Sequence, residues 1–329
     1  MSNCCYLFLI IFVCEFLSSA DAGNIKCRTN LVVDKSGNGN FRSISSAINS
    51  VPSGNENWVC IKVNAGIYRE KVTIPLDKNY IMLKGSGTKA TRIEMSDYGG
   101  VLKDISTIRI NADNFVAKDI TFVNSYNVPW NNGNPRATAP AAYLGGDKIS
   151  FYNCAFIGLQ DTLFDAKGRH YFKNCYIVGA VDFIFGAAQS VYQDSTIYVV
   201  GDALNGAGYI TAQGRDNPNS PSWFIFIGGK VVGRGKTYLG RPWRPYARVL
   251  FYEMYLSDIV VPDGWSPWDR NSHQSLGNTV FSEYKCSGPG SKKSGRVPWR
   301  VELGSQEVRK LVSRSFIDSD NWIENQQPS

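Results

Sequence analysis

Tyr152-Asn153-Cys154-Ala155-Phe156-Ile157-Gly158-Leu159-Gln160-Asp161-Thr162-Leu163 is answered 21 residues later by Lys173-Asn174-Cys175-Tyr176-Ile177-Val178-Gly179-Ala180-Val181-Asp182-Phe183-Ile184. Asn, Cys, Gly and Asp recur in the same phase. A period of about 20 residues is that of a solenoid, one coil stacked on the next. Positions one period apart then lie on adjacent rungs, roughly 4.8 Å apart. Asn174 to Asp194 continues the period at 20 residues, and Asp119 to Asn153 stretches it to 34. The stretched coil places an inserted loop at Tyr126–Arg136, which is rich in Asn, Pro and Gly.

Short strands between Gly, Asn and Asp turns also fit a β-sandwich. The common phase of the repeats, and the Asn, Cys, Ile and aromatic types suited to inward ladders, favour a parallel β-helix. The N-terminal part reads as strand (Leu31–Val33), turn (Ser36–Asn40), helix (Ser43–Val51, apolar at Ile44, Ala47, Ile48 and Val51) and strand (Val59–Val63). Ser305–Phe316 reads as an amphipathic helix laid on the solenoid flank. The expectation is one all-β domain over 23–329 with short flanking helices at both ends.

Residues 1–22 read as a secretory signal peptide. Tyr6–Leu17 is mostly apolar, and Ser18-Ser19-Ala20-Asp21-Ala22 ends in an Ala-x-Ala pattern. The stretch is too short for a transmembrane helix and carries Glu15, so a secreted protein without a membrane anchor is expected. Removing 1–22 takes away Glu15, Asp21 and no Lys or Arg, which raises the formal charge from +7 to +9. On a secreted protein that favours polyanionic partners such as acidic polysaccharides. The basic residues are dispersed, without the block that a nucleic-acid grip would use. Five cysteines follow residue 22: Cys27, Cys60, Cys154, Cys175 and Cys286. An odd count excludes complete pairing within one chain. Cys154 and Cys175 are placed either for an inter-rung disulfide or for a ladder of buried thiols. No Asn-x-Ser/Thr glycosylation acceptor occurs.

Two aspartates on adjacent rungs, Asp161 and Asp182, can divide acid and nucleophile work, because like charges about 5 Å apart drive one pKa up. Arg241, in Tyr238-Leu239-Gly240-Arg241-Pro242-Trp243, is the natural cation to hold the other ionised. Trp243 is suited to stacking on a sugar ring. Other catalytic sets fail on count. The chain has only His170 and His273, no Gly-x-Ser-x-Gly, no Cys-x-x-Cys or His-x-x-x-His, and no Gly-x-x-x-x-Gly-Lys loop. His170 is read as a rung-capping residue rather than a base, and no metal or cofactor is expected.

The chain resembles plant-type pectin methylesterases, in the form that lacks an N-terminal inhibitor-like pro-region. The resemblance spans about residues 30–318. It is carried by Gly66-Ile67-Tyr68-Arg69-Glu70, Gln160-Asp161-Thr162-Leu163, Asp182-Phe183-Ile184-Phe185-Gly186 and Leu239-Gly240-Arg241-Pro242-Trp243, with Gly264-Trp265-Ser266-Pro267-Trp268 and Ser282–Gly290 in the tail. It implies a right-handed parallel β-helix that removes methyl esters from galacturonate units of pectin, in cell-wall modification. It implies Asp182 as nucleophile, Asp161 as general acid and then base, and Gln160 as oxyanion donor. Arg241 and Trp243 would hold Asp182 and substrate, and Tyr143, Phe164 and Trp265 are aromatics expected along the groove.

Two departures from the family pattern stand out. Thr138, in Thr138-Ala139-Pro140-Ala141-Ala142, occupies the place of a Gln that assists the oxyanion. Its hydroxyl reaches about two heavy atoms less far, and losing one oxyanion donor costs on the order of 10²–10³ in kcat. Ser195 stands where many members carry a cysteine paired with the one at 175. Methyl-esterified homogalacturonan is the expected partner, a proteinaceous pectinesterase inhibitor is a further candidate, and a monomer is expected. Two competing readings are a catalytically weakened pectin-binding protein, favoured by Thr138, and a calcium-dependent pectate lyase. The Asp182–Arg241 pairing suits ester hydrolysis better than lyase chemistry.

Overall fold

A computed structural model of the chain describes residues 25–130, 132–268 and 276–328. The signal-peptide expectation for 1–22 lies outside the described residues, as does His273.

Each central coil contributes one strand to each of three parallel sheets, of ten, eight and seven strands. One such coil is Ile149–Tyr152, Ala155–Ile157 and Leu163–Asp165, and the next is Arg169–Lys173, Tyr176–Gly179 and Val181–Gly186. They pair in register: Phe151 on Phe172, Phe156 on Ile177, Leu163 on Ile184. The result is a right-handed parallel β-helix.

The recurring Asn or Asp that revealed the period is the corner of each coil. Asp119, Asn153, Asn174 and Asp194 all adopt left-handed backbone, φ 49–60°. Asn and Asp tolerate that region better than other non-glycine residues, which explains why the corner is written in them. Inside, the coils are joined by stacked rings. Phe172, Tyr192, Phe226 and Phe251 follow one another at 4.5 Å between centroids, nearly coplanar. Each ring covers the next, and the ladder removes large apolar area from water.

A helix closes the N-terminal end of the cylinder, and the C-terminal segment lies along its flank. Helix Ile44–Ser50 starts where the Ser43 hydroxyl accepts from Ser46 N, and it buries Ile44, Ala47 and Ile48 against the core. Glu70 accepts from the free amides of Ile44 and Ser45, 2.9 Å each, so its carboxylate caps the positive end of that helix. The Gly66–Glu70 motif is therefore architectural. On that flank the expected helix over 305–316 is broken. An α-helix spans Ser305–Leu311, Ser313 turns extended, and a 3₁₀ turn covers Arg314–Phe316. Val308, Leu311, Ile317, Trp322 and Ile323 pack on the outer face of the ten-stranded sheet at Val191, Trp223, Ile225 and Leu250.

Cys154 and Cys175 are buried free thiols on adjacent rungs, so the ladder is the form observed, and a disulfide joins Cys27 to Cys60. Two residues read from sequence are relocated. His170, read as a rung cap, lies within the strand Arg169–Lys173. It is fully buried, between the Asp165 carboxylate on Nδ1 and the Gly146 carbonyl 3.0 Å from Nε2. Tyr192 donates to the other Asp165 oxygen at 2.6 Å, which completes a closed polar pin inside the core. Trp265 is fully buried against Phe251 and Phe281 and is not on the groove. Its indole donates to Glu283 (3.3 Å), which is locked in a buried pair with Arg296.

Candidate active site

The seven-stranded sheet carries the site. Its strands run, in spatial order, Thr237–Pro242, Gly208–Gln213, Val181–Gly186, Leu163–Asp165, Ala142–Leu144, Ile108–Ile110 and Val72–Ile74. Arg109, Tyr143, Phe164 and Phe185 stand in register on four successive rungs and form an outward row. Phe164 and Phe185 stack at 4.4 Å, Tyr143 meets Phe164 edge-on at 5.1 Å, and Trp243 leans over both phenylalanines at 6.0–6.5 Å. Such a row offers flat apolar faces to sugar rings.

The two aspartates sit at the edge of this row. Gln160 pairs with Val181 across the rungs, so Asp161 and Asp182 are neighbours, and Asp161 N donates to Val181 O at 3.0 Å. Both adopt left-handed backbone, φ 61° and 47°. Asp182 also lies at a β-bulge: the register against Gly208–Gln213 shifts between Val181 and Ile184. A bulge re-aims a side chain, and here it accompanies the departure of Asp182 from the regular alternation of its strand. Gly179 permits this. A Cβ there would lie 2.2 Å from Phe183 Cβ.

Arg241 reaches Asp182 from two rungs away. Nε donates to Oδ1 at 2.9 Å and Nη2 to Oδ2 at 2.5 Å. The guanidinium is itself sandwiched, 3.9 Å from the Tyr209 ring and 4.4 Å from that of Trp268. Two ring faces fix its plane and compensate its partial burial. Gly240 beside it has no freedom to change, since a Cβ would meet Thr211 Oγ1 at 1.9 Å.

The carboxylates are electrostatically unequal. Burial, then the neighbouring Asp182 charge, push Asp161 up to about 7, against the pull of Arg241. Burial also raises Asp182, but the Arg241 fork and the charge of Arg136 oppose it. Near neutral pH the arrangement favours a protonated Asp161 beside an ionised Asp182. Thr138, Gln160 and Val181 pair across three successive rungs, so Thr138 lies beside Gln160 at the mouth of the pair.

The structure thus brings together Asp161, Asp182, Gln160, Arg241, Trp243 and Thr138, with Tyr143 and Phe164 on the row. Sequence spacing does not mark Tyr209, Trp268 or Arg136 as neighbours of the aspartate pair. Only Trp268, inside the Gly264–Trp268 motif, carried a signal.

The profile of the Pectinesterase family matches residues 30–320. Probable pectinesterase 29 of Arabidopsis thaliana is 49% identical over 298 residues, 89% of this chain and 88% of that one. Probable pectinesterase 55 of the same plant is 48% identical over 300 residues, 90% of each. The solved pectin methylesterase from carrot superposes with TM-score 0.84 at 30% identity, covering 94% of this chain and 99% of that one. The pectin methylesterase from Aspergillus niger superposes with TM-score 0.78 at 28% identity, covering 93% and 99%.

Proposed function

The chain belongs to the pectinesterase family of carboxylic ester hydrolases and de-esterifies pectin, and from that premise we propose how its own residues perform the reaction. A carboxylate oxygen of Asp182 attacks the carbonyl carbon of a galacturonate methyl ester. Gln160, assisted by the Thr138 hydroxyl, donates to the oxyanion that forms. Asp161 gives its proton to the departing methoxide, methanol leaves, and an Asp182 anhydride remains. Asp161, now ionised, takes a proton from water. The hydroxide attacks the anhydride, free galacturonate is released, and Asp182 returns to its carboxylate.

The observation that carries this reading is the pairing of an Arg241-held Asp182 with an adjacent carboxyl pushed up to about 7. Trp243, Phe164 and Tyr143 would support the sugar chain. Residues 1–22 serve as the secretory signal, 23–329 form the catalytic domain, and the mature protein acts as a secreted monomer in the cell wall, open to a proteinaceous inhibitor. The described residues contain no helix long and apolar enough to cross a membrane.

The deciding experiment is methanol release from highly methylated pectin, with EDTA present, by the mature protein and by Asp182→Asn. Release by the first and none by the second is expected. Equal release by the two would remove Asp182 from the mechanism.

A further inference from the structure

Near the ends of successive strands of the ten-stranded sheet runs an outward column that the reaction does not use. In register it reads Lys62, Lys84, Lys118, Tyr152, Lys173 and Gln193. The preceding residues Ile61, Leu83, Ala117, Phe151 and Phe172 are fully buried, so strand alternation turns the column to the outside. From Lys62 to Lys173 is a rise of roughly 19 Å at about 4.8 Å a rung. Lys62 and Lys173 make no ion pair or hydrogen bond with a described residue. Like charges stacked in register repel one another, so the column weakens the fold rather than supporting it. Tyr152 and Asp161 stand on either side of the strand Ala155–Ile157 in one coil, so the column follows a different corner of the cylinder from the aspartates.

At Lys118, Tyr152 and Lys173 the column borders a cavity of about 550 Å³, walled on its far side by the C-terminal segment. Asn153, Asn174 and Gln193 also line it, and no acidic side chain does so among the described residues. Its further cation, Arg314, is committed to Asp318. Charges repeated rung by rung match a linear polyanion better than a single anion. The amide side chains and the tyrosine ring beside them suit the hydroxyls and ring faces of a sugar. De-esterification makes such a polymer, since each turnover leaves a carboxylate where a neutral ester stood. We propose that this column and its cavity bind a run of unesterified galacturonate units. They form a second, non-catalytic polysaccharide site, which holds the enzyme on de-esterified polymer while the groove stays open to esterified chain.

The test is calorimetric titration with long unmethylated oligogalacturonate, at low and high salt, of the wild type, K62Q/K173Q, K62R/K173R and the groove variant Trp243→Ala. The wild type should bind at two sites. Trp243→Ala should weaken the groove site and keep the other. K62Q/K173Q should weaken that other site about five- to ten-fold at low salt, with the difference closing at high salt, and K62R/K173R should retain it. kcat/KM on a short methylated oligogalacturonate should stay unchanged in both lysine variants, which also shows that they fold. An oligogalacturonate isotherm unaltered in K62Q/K173Q overturns the proposal. Equally tight binding of polyglutamate to the column overturns it too, by making the lysines a general counter-ion surface. Binding is read without turnover, so the second site stands or falls apart from the roles given to Asp161 and Asp182.

Discussion

Arg241 holds both oxygens of Asp182 from two rungs away, with its own plane clamped between Tyr209 and Trp268. Charge alone does not explain that geometry. A lysine would bring the same charge without the fork or the flat stacking surface. Arg241→Lys is therefore expected to lower kcat about 10²-fold with a smaller change in KM. It should also shift the acidic limb of the pH profile upward, because less opposes the rise that burial imposes on Asp182. Steady-state kinetics from pH 4 to 9 would check both; an unshifted acidic limb would count against a role in holding Asp182 ionised.

The activity profile itself should be bell-shaped. Asp182 must be ionised to attack, which sets the acidic side. Asp161 must be protonated to release methanol, and at about 7 it begins to lose that proton. kcat/KM should thus fall above pH 7 with an apparent pKa near that value. A profile flat to pH 9 would separate Asp161 from the acid role.

The same carboxyl makes the fold sensitive to pH in an unusual direction. An Asp whose pKa stands at 3.8 when unfolded and about 7 when folded binds its proton more tightly in the folded chain. Stability is then greatest below the unfolded value and is lost as pH rises through the folded one. Asp161→Asn removes this dependence. It is expected to stabilise the protein by on the order of 2–4 kcal/mol above pH 7, and by little below pH 4. Urea unfolding at the two pH values would measure it, and an equal gain at both would contradict the titration account.

Thr138 provides the shortest donor at the site. If its hydroxyl assists the oxyanion, Thr138→Val should lower kcat by about tenfold or more while KM moves little. Thr138→Gln, with a longer reach, should match or exceed the native rate. An unaffected Thr138→Val enzyme would leave Gln160 as the working donor.

The coil period, the aspartate pair and Arg241 were legible because a solenoid writes its geometry into sequence spacing: equal phase means stacked position. What had no period was hidden. Tyr209 touches Arg241 across 32 residues, and nothing in its own coil announces that contact. The motif Gly264–Trp268 shows the limit most clearly. Trp265 and Trp268 look equivalent as letters, yet in the irregular segment they occupy the two rings part company. The first is sealed into the core and the second lies over Arg241. The bulge that aims Asp182 is likewise a property of two strands paired, and neither strand alone encodes it.

A cylinder built from coils melts as a stack rather than as a globule, because the strands of each coil pair only with those of its neighbours. Asp161 and Asp182 belong to touching coils, whereas Arg241 sits two coils nearer the C-terminal end. Fraying from that end would strip the cation first and leave two intact carboxylates facing one another. The enzyme is thus expected to fall silent before it unfolds: on gentle heating, activity should vanish while amides at the Phe151–Phe172 level remain protected from exchange. Its thermal limit as a catalyst is set by the last few coils, and its limit as a protein by the middle ones.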